Sequence, residues 1–329
     1  NLSYNDPGAP RFLFLDREGR AALGIGGEVN AVAMYDMKGA IDNEGFATYD
    51  IPTPGNQAMR NRFGADATNT SLFLKLVTKN TGIGRVIVYV QTNFTGNDGN
   101  YGLKLKQAYV SVGGFLIGKG RSTFADAAAE APTVDAQGPS GQVSAKNLML
   151  QYKTPSYKGF SAAISAELPE ADYTLATGTE SISQRFPDIP VYVQYAWGSD
   201  SHIRASALLR ELSYRSTLKQ KNHFATGWGV QLSAVSDLGA GLSVFGHATY
   251  GHGIAAYVND LGGNGYDLVP DGNGRLQAPG TFAWTAGFTY QPVKPLLLSA
   301  CYSQAQAYDL KYMTDDSYRY GQYAAFTAF

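Results

Sequence analysis

The sequence of 329 residues lacks the features that would place it in several common classes of protein. Its single cysteine, Cys301, allows neither an internal disulfide nor a cysteine-based zinc site. No stretch approaches the roughly 18 apolar residues that a transmembrane helix requires. The formal net charge of −1 does not indicate a nucleic-acid partner. No signal peptide is visible at Asn1, which fits a cytosolic chain or an exported chain whose leader has been removed.

Motifs for catalysis and for metal binding are also missing. The stretch Gly113–Gly120 is close to a phosphate-binding loop, but a glycine stands where the Mg²⁺-binding Ser or Thr belongs. The four histidines share no metal-ligand spacing, and no nucleophile motif surrounds a serine. The sequence therefore predicts a protein that is not an enzyme and that has no cofactor and no metal.

The glycine-rich segment 253–280 leaves one alternative open. Four of its polar residues have side-chain oxygens suited to Ca²⁺, and the same residue types also form turns. These residues are Asp260, Asp267, Asp271 and Asn273. Turn formation is the interpretation that the composition of the segment favours.

The dominant feature of the sequence is alternation of apolar and polar residues with a period of two. This pattern is typical of strands with one apolar and one polar face. The segments 85–93, 224–233 and 282–290 show it. In 202–210, apolar Ile203, Ala205, Ala207 and Leu209 alternate with polar His202, Arg204, Ser206 and Arg210. Because helical periodicity is weak throughout, the chain is predicted to be all-β.

The alternation defines 14 strands of roughly 9–12 residues, the length that crosses a bilayer at a tilt. They lie near 22–36, 64–78, 85–95, 103–112, 114–122, 147–154, 159–167, 190–198, 202–213, 223–236, 241–252, 281–291, 295–306 and 318–329. Short turns and long polar loops alternate between them, as in a barrel with tight periplasmic turns and long outer loops. The sequence thus predicts a transmembrane antiparallel β-barrel over 20–329, after an N-terminal periplasmic segment, 1–19.

Aromatic residues on the apolar face support the membrane interpretation. One group lies beside the short turns and another toward the long loops, where aromatic rings settle at the two membrane interfaces. The first group is Tyr152, Phe160, Trp197 and Tyr290, and the second is Tyr35, Phe224, Tyr250 and Trp284. The alternative is that aromatic residues simply favour strands.

The polar face would line the lumen of the barrel. Its amide and hydroxyl side chains cannot pack as a dry core, so the lumen is predicted to contain water. Glu28, Asp36 and Glu167 are its acidic members. Basic side chains in a pore favour anions, unless they merely solvate the wall or pair with an infolded loop. The predicted anion-selecting residues are Lys75, Arg85, Lys104, Lys106, Lys119, Arg121, Lys153, Arg204 and Arg210.

The segment 122–146 is predicted to fold into the pore and narrow it. It is rich in small residues and contains Ser122, Asp126, Glu130 and Asp135. The three acidic side chains would face the basic residues of the two preceding strands. The resulting transverse field would orient charged solutes. The alternative is an ordinary exposed loop.

The same stretch carries a family resemblance. The pattern Gly-x-x-x-Ser-Thr-Phe-x-Asp begins at Gly118 and is followed by Pro132-Thr133-x-Asp135 and Gly138-Pro139. This pattern resembles the loop of DcaP-type porins, and the opening strand, from Gly26-Gly27-Glu28-Val29 to Tyr35-Asp36, is similar to that family's first strand. The resemblance implies a homotrimeric outer-membrane porin of about 16 strands that takes up dicarboxylates and other small anions. It also implies constriction roles for Lys119, Arg121, Asp126 and Asp135.

Two features depart from the family pattern. Residues 1–19 show no heptad repeat, whereas some members carry an N-terminal coiled coil. The chain ends on Phe329, the aromatic residue typical of outer-membrane barrels, but the residues before it make a poor assembly signal. Because 14 strands follow from the alternation and 16 from the resemblance, a 14-strand barrel is the alternative; both counts are even.

These observations together predict an outer-membrane porin for passive diffusion of small, preferably anionic solutes. Its expected partners are outer-membrane lipid, lipopolysaccharide and two further copies of the chain, with no nucleic acid. Two alternatives stay open. One is a plugged or structural and adhesive barrel without significant conductance, and the other is a soluble all-β carbohydrate-binding protein.

Overall fold

The computed structural model describes residues 11–38, 45–79, 82, 84–96, 101–168, 170–198 and 200–329, with side chains from Phe14 onward. Its regular elements are β-strands and four single-turn 3-10 helices, at Thr48–Asp50, Gln57–Met59, Ala127–Ala129 and Ala255–Tyr257. Within these described ranges no helix is both long and apolar enough to span a membrane. The strands are β1 (Arg11–Leu15), β2 (Ala21–Glu28), β3 (Val32–Asp36), β4 (Arg62–Asp66), β5 (Ser71–Thr78), β6 (Val86–Gly96), β7 (Gly102–Val112), β8 (Phe115–Arg121), β9 (Lys146–Lys153), β10 (Phe160–Glu167), β11 (Thr179–Ser181), β12 (Ile189–Trp197), β13 (Ser201–Ser216), β14 (Lys221–Gly239), β15 (Leu242–His252), β16 (Val269–Pro270), β17 (Leu276–Gln277), β18 (Gly280–Val293), β19 (Leu296–Ala307) and β20 (Tyr320–Ala328).

Sixteen of these strands form one antiparallel sheet. Fifteen of them follow one path in chain order, β1-β2-β5-β6-β7-β8-β9-β10-β12-β13-β14-β15-β18-β19-β20, and β11 pairs with the end of β13. The short pairs β3–β4 and β16–β17 lie outside this sheet. Neighbours in the sequence are neighbours in the sheet, which is the arrangement of an up-and-down barrel. The predicted transmembrane antiparallel β-barrel is confirmed.

All 14 predicted strands are present, and the differences concern their detail. The predicted strand 22–36 consists of β2 and β3, and the predicted strand 64–78 consists of β4 and β5. The sheet reaches the 16 strands that the resemblance implies because it also contains β1 and β11. β1 has the sequence RFLFL, which does not alternate, and β11 has three residues, too few to show a period. The sheet therefore begins before residue 20.

The two faces of the strands differ as the alternation predicts. On β13 and β14 the apolar residues Leu209 and Leu232 are 56% and 55% exposed. The polar residues between them, such as Gln231 and Ser233, are buried at 4% and 1%. A continuous exposed band of large apolar side chains is stable in lipid and not in water. The apolar face is therefore the outer surface of the barrel.

Aromatic side chains meet in cross-strand pairs at both edges of this band. Near the short turns, the ring centroids of Phe115 and Tyr152 are 4.8 Å apart, and those of Phe160 and Tyr195 are 4.7 Å apart. Near the long loops, the ring centroids of Trp228 and Tyr250 are 5.8 Å apart. Such pairs add to strand pairing and hold amphipathic rings at the level of the lipid headgroups.

A two-glycine turn joins β7 to β8. Gly113 and Gly114 have φ angles of +57° and +89°, the left-handed conformation that both central residues of a type I′ hairpin turn adopt. Residues with a Cβ are strained there, so this tight connection depends on the glycine pair. It marks the short-turn end of the barrel.

The main cluster of buried apolar side chains lies inside the barrel. It joins two loops to the wall: residues 122–145, here called the constriction loop, and residues 253–279, here called the cap loop. Phe124 and Val143 come from the constriction loop, and Ile254, Val258 and Leu261 from the cap loop. They pack on the small inward residues of β18 and β19, including Ala283 and Ala305. Part of the lumen is therefore filled by folded chain.

Candidate pore and its constriction loop

The constriction loop leaves the end of β8 and crosses the lumen to the opposite wall. At its base the Ser122 N–H donates to the Ala145 carbonyl at 2.9 Å. Asp126 is the fifth residue of the loop. Its carboxylate contacts His202 Nε2 of β13 at 2.9 Å and accepts from Ser233 Oγ of β14 at 2.5 Å. The predicted infolded loop is confirmed, and the alternative of an exposed loop is wrong.

Asp126 anchors this loop to the barrel wall by its charge. Arg204 Nη1 lies 3.5 Å from its carboxylate and donates to the Ala125 carbonyl at 3.0 Å. The Arg204 guanidinium also covers the ring of Tyr192 at 4.2 Å. Burial alone would raise the pKa of Asp126, but the hydrogen bonds from His202 and Ser233 and the charge of Arg204 lower it to about 2. The carboxylate is therefore ionised and neutralised by the wall.

The base of the loop is held by a second buried carboxylate, Glu167 of β10. Its oxygens accept from the Thr123 N–H, Ser165 Oγ and Asn147 Nδ2, each at 2.8 Å. Glu167 is completely buried. The sequence correctly places Glu167 on the inward face, but it serves the loop and does not face the aqueous pore.

The far part of the loop contacts the last strands of the barrel. The Gly141 N–H donates to Ser303 Oγ of β19 at 2.8 Å. Ala131 packs with Phe245 and Tyr323 on the inward faces of β15 and β20. Asp135 accepts from the Phe46 N–H at 2.7 Å, and burial raises the pKa of this carboxyl in spite of its hydrogen bonds.

The cap loop fixes the constriction loop from the outer side. Asn259 Nδ2 donates to the carbonyls of Gln137 and Pro139 at 2.8 and 3.1 Å. Asp260 accepts from the N–H and hydroxyl of Thr48 at 2.8 and 2.6 Å, and from Gln137. Three outer segments that are distant in sequence therefore meet above the lumen.

Arg210 of β13 points inward as predicted, but it is sealed beneath the cap loop. Its Nε donates to Asp188 and its Nη1 to Asp267, both at 2.9 Å, and Nη1 also donates to the Gly253 carbonyl at 2.8 Å. Tyr257 Oη donates to Asp188 at 2.8 Å. The side chains of Arg210, Asp188 and Asp267 have no exposed surface. Arg210 therefore holds the cap loop in place and does not line the aqueous passage.

The inward wall of β5–β9 remains accessible. Phe73, Tyr89 and Tyr109 form a row across three strands, with ring centroids 6.3 and 5.5 Å apart. Beside them Gln107 Nε2 donates to Gln91 at 3.2 Å, and both amides are half-buried. By contrast, the inward amide Gln231 on β14 is buried. Around these amides the inward wall of β5–β9 is therefore less covered than that of β14.

Four predicted basic residues lie on or beside this open wall. Lys75 pairs in register with Tyr89 and Gly24, and Lys153 pairs with the inward Ala163. Lys104 is opposite the inward Asn93 and is exposed, and Arg85 is exposed just before β6. Lys106 is the extra residue where the β6–β7 register shifts. The strand pairing thus brings Lys75, Lys104 and Lys153 to one side of the lumen.

The prediction that Lys119 points into the pore is wrong. It pairs with Leu148 of β9, which is 54% exposed, and shares the outward face with Ile117. The inward positions of β8 are Gly118 and Gly120, because Gly120 pairs with the buried Asn147. Phe115 and Ile117 follow the same alternation as Lys119, so charge was a misleading guide to the face. Lys119 points away from the pore.

The predicted field between an acidic loop and the basic strands β7 and β8 is also corrected. Of the three acidic residues of the loop, Glu130 contacts strand β8, through the guanidinium of Arg121 at the end of that strand. Asp126 faces β13 and β14, and Asp135 faces Phe46 and Tyr323. Each of the three acidic side chains thus has a partner within the protein. The predicted loop residue Ser122 accepts a hydrogen bond from the Phe124 N–H inside the loop.

The polar residues of the cap loop use their oxygens within the protein. Asp271 accepts from the N–H groups of Asn273 and Arg275 at 2.7 and 3.1 Å and is a turn former, as favoured. Asp260 and Asp267 are instead buried acceptors that join the cap loop to other segments. In the part of the chain that the structure describes, no three acidic, histidine or cysteine side chains form a metal-binding cluster.

Several anchoring residues carried no recognisable signal in the sequence. His202 and Ser233 lie 76 and 107 residues from Asp126, and Asn259 lies 122 residues from Gln137. The alternation of apolar and polar residues places the side chains of His202 and Ser233 on the inward face. It does not indicate which residue each of them contacts. The partners become apparent when the loops are folded into the lumen.

Comparison with known proteins agrees with this architecture. A family model described as Porin subfamily matches residues 45–329. The outer membrane channel DcaP of Acinetobacter baumannii aligns over 94% of this chain and 86% of its own, with 22% identity and a TM-score of 0.80. OmpF of Salmonella typhi, in complex with daunomycin, aligns over 96% and 87%, with 10% identity and a TM-score of 0.54. An anion-selective porin from Comamonas acidovorans aligns over 94% and 100%, with 14% identity and a TM-score of 0.43.

No curated protein sequence matches the chain significantly. The family model nevertheless covers most of the chain, and the DcaP channel shares its fold. The predicted DcaP-type porin resemblance and the bacterial outer-membrane location are confirmed. The chain belongs to the Porin subfamily and is a β-barrel of the bacterial outer membrane.

Proposed function

We propose that this porin lets small anionic solutes, dicarboxylates among them, diffuse passively across the outer membrane. The observation that carries the proposal is the unequal use of charge in the lumen. The loop acids Asp126, Glu130 and Asp135 are engaged by protein groups, whereas Lys75, Lys104 and Lys153 lie on the accessible wall. The passage is therefore basic although the whole chain is nearly neutral.

The sequence of the accessible wall supports this charge imbalance. Among strands β2 and β5–β9, Glu28 is the acidic residue. The basic residues that the strand pairing brings to the inward face of the same strands are Lys75, Lys104 and Lys153. A basic wall raises the local concentration of anions and lowers that of cations. The constriction loop narrows the passage and so brings solutes close to this wall, without covalent chemistry or a cofactor.

The assembly is proposed to be a homotrimer surrounded by outer-membrane lipid and lipopolysaccharide. Large apolar residues on the outward faces of β5 and β7, including Leu72, Leu74 and Leu103, are exposed and suit either a neighbouring subunit or lipid. Lys119 lies on the outward face near the loop end of β8, where a lipopolysaccharide phosphate would meet a basic side chain.

Reversal potentials in planar bilayers with a KCl gradient test the proposal. The chain should pass chloride in preference to potassium, and Lys75→Gln together with Lys153→Gln should reduce that preference several-fold. Lys158→Gln is the matched control, because Lys158 is exposed in the short turn between β9 and β10. Equal or cation-preferring permeability of the unaltered protein would contradict the proposed selectivity.

A plugged barrel is the second candidate, because the dry cluster of Phe124, Ile254 and Leu261 lies inside the lumen. Single-channel conductance separates the two. Stepwise conductance in bilayers supports the open passage along β5–β9, whereas correctly folded protein with almost no conductance supports the plug.

A further inference from the structure

A cavity of about 440 Å³ lies at the long-loop end of the barrel, between the β3–β4 hairpin and the constriction loop. One side is formed by β3 together with Met37 and Lys38, which follow it. The other side is formed by Phe46 and by Val134 and Asp135 of the constriction loop. The described lining residues all lie outside strands β5–β9. The cavity is therefore separate from the accessible wall, and its volume falls within the range of small-molecule sites, roughly 300–1,000 Å³.

Most of the lining of this cavity is apolar or aromatic. Val32 and Met34 are half-buried, whereas Tyr35, Phe46 and Val134 are exposed. Apolar surface that faces water in a concave site is stabilised when an apolar group covers it. The hollow is large enough for a single aromatic ring with a short side chain.

Asp135 supplies a carboxylate to the same hollow. It accepts hydrogen bonds from the Phe46, Gln137 and Gly138 N–H groups at 2.7, 3.1 and 3.2 Å, and from the hydroxyl of Tyr323. These donors fix the position of the carboxylate. All of them are neutral, so they leave its charge uncompensated.

The other two acidic residues of the constriction loop differ from Asp135 in this respect. The carboxylate of Asp126 lies 3.5 Å from Arg204, and that of Glu130 contacts Arg121. In the described part of the chain, Asp135 has no cationic side chain within ion-pair distance. Its negative charge therefore acts on whatever enters the hollow.

The neighbouring charges leave the hollow acidic. Asp260 lies close enough to Asp135 for the two carboxylates to repel each other, and its own donors from Thr48 and Gln137 are neutral. Asp36 also lines the hollow, opposite Arg62 of β4. The remaining charged lining residue is Lys38, which is exposed and stands beyond ion-pair distance of Asp135.

We propose that this cavity binds amphipathic organic cations, molecules with one aromatic ring and one ammonium group. The ring would lie against Met34, Phe46 and Val134, and the ammonium group would lie beside Asp135. The aromatic faces of Tyr35 and Phe46 add cation–π attraction. A single charge is recognised, so the ligand need not span two distant groups.

The inference goes beyond the proposed function, because passage of anions does not require a cation site at the mouth of the pore. Val134 and Asp135 belong to the constriction loop, so a bound cation rests against the outer side of that loop. Long loops are extracellular in outer-membrane barrels. The ligand would therefore enter from outside the cell and hinder the passage of solutes.

Isothermal titration calorimetry of the protein in uncharged micelles tests the binding. The probe is 2-phenylethylamine, which is protonated at neutral pH. The matched ligands are 2-phenylethanol, which is neutral, and 3-phenylpropionate, which is an anion. The amine should bind about tenfold more tightly than the alcohol, and the anion should bind most weakly.

Variants assign the binding to the cavity. Asp135→Asn should weaken binding of the amine about tenfold and leave binding of the alcohol unchanged, because only the charge is removed. Ala33→Trp should weaken both, because Ala33 is exposed and lines the hollow, so the larger side chain fills it. Asp315→Asn, which removes an exposed carboxylate from another outer segment, is the control and should change neither.

Single-channel recording tests the location of the site. The amine should interrupt chloride current at lower concentration from the long-loop side than from the short-turn side, and current from each variant shows that it folds and inserts. Equal binding of amine and alcohol, binding unchanged in both variants, or stronger block from the short-turn side would overturn the site. A channel that prefers cations would overturn the proposed function by its reversal potential and leave the calorimetric result standing.

Discussion

The two halves of the barrel wall treat their inward polar residues differently. On β13–β19, polar residues such as Gln231, Thr249 and Ser303 are buried under the constriction and cap loops. On β5–β9, their counterparts Gln91, Gln107 and Gln151 are half-buried and face the lumen. The same alternation of apolar and polar residues therefore builds a covered wall in one half and a more accessible wall in the other, although Asn93 and Asn147, at the loop ends of β6 and β9, are also buried. What separates them is the loops and not the strands.

The packed half depends on burying charge without leaving it unpaired. Arg210 meets two carboxylates and two carbonyls, and Asp126 meets a histidine, an arginine and a serine. Buried charges are tolerated when such partners are complete. On β5–β9 the amides of Gln91, Gln107 and Gln151 hydrogen-bond to neighbouring side chains, and none of the described charged residues of these strands is buried as Arg210 and Asp126 are.

The largest expected effect comes from Arg210→Ala. It leaves the carboxylates of Asp188 and Asp267 buried without their cation, which costs about 3–5 kcal/mol. The unfolding midpoint in detergent micelles should fall markedly, and the single-channel conductance should rise because the cap loop is released. Arg215→Ala, at the exposed end of β13, is the control and should change both little. An unaltered conductance in folded Arg210→Ala would show that the cap loop does not limit the passage.

Asp126→Asn should have the next largest effect on the free energy of unfolding. It should also weaken the dependence of that free energy on pH in the acid range. The pKa of Asp126 is about 2 in the folded state against 3.8 ordinarily, so its charged form stabilises the fold by about 2 kcal/mol. Because the folded pKa is depressed, this contribution is complete above pH 3.8 and is lost as pH falls through about 2. Denaturation in micelles between pH 2 and 6 should show this dependence in the original protein and a weaker one in Asp126→Asn. Identical pH profiles would contradict the role of Asp126 as an anchor.

The smallest expected effect on the free energy of unfolding comes from removing one tyrosine hydroxyl in each half of the wall. Tyr257→Phe removes the donor to the buried Asp188 and should lower the free energy of unfolding by about 1 kcal/mol. Tyr109→Phe, on the accessible wall, should change it by less, because water solvates that hydroxyl in both states. Equal losses in the two variants would remove the distinction between the packed and the open half.

The strands were predictable from the sequence, and the interior was not. Period-two alternation depends on neighbours such as Ile203 and Arg204, so it reveals faces and strand positions without knowledge of the fold. The contacts of Asp126 with His202 and Ser233 join residues far apart in the chain, and no local pattern encodes them. Lys119 shows the other limit, since its charge suggested the lumen while the alternation with Ile117 placed it outward. Arg210 shows that an inward position does not make a residue accessible.

The claim that the passage follows β5–β9 can be tested with single cysteines. In a Cys301→Ala background, Gln107→Cys should react with a charged thiosulfonate reagent added to the bilayer chamber, and its conductance should drop in steps. Gln231→Cys, on the packed wall, should react slowly and keep its conductance. Rapid block through Gln231→Cys, with Gln107→Cys unreactive, would contradict the account and place the passage on the opposite side of the barrel.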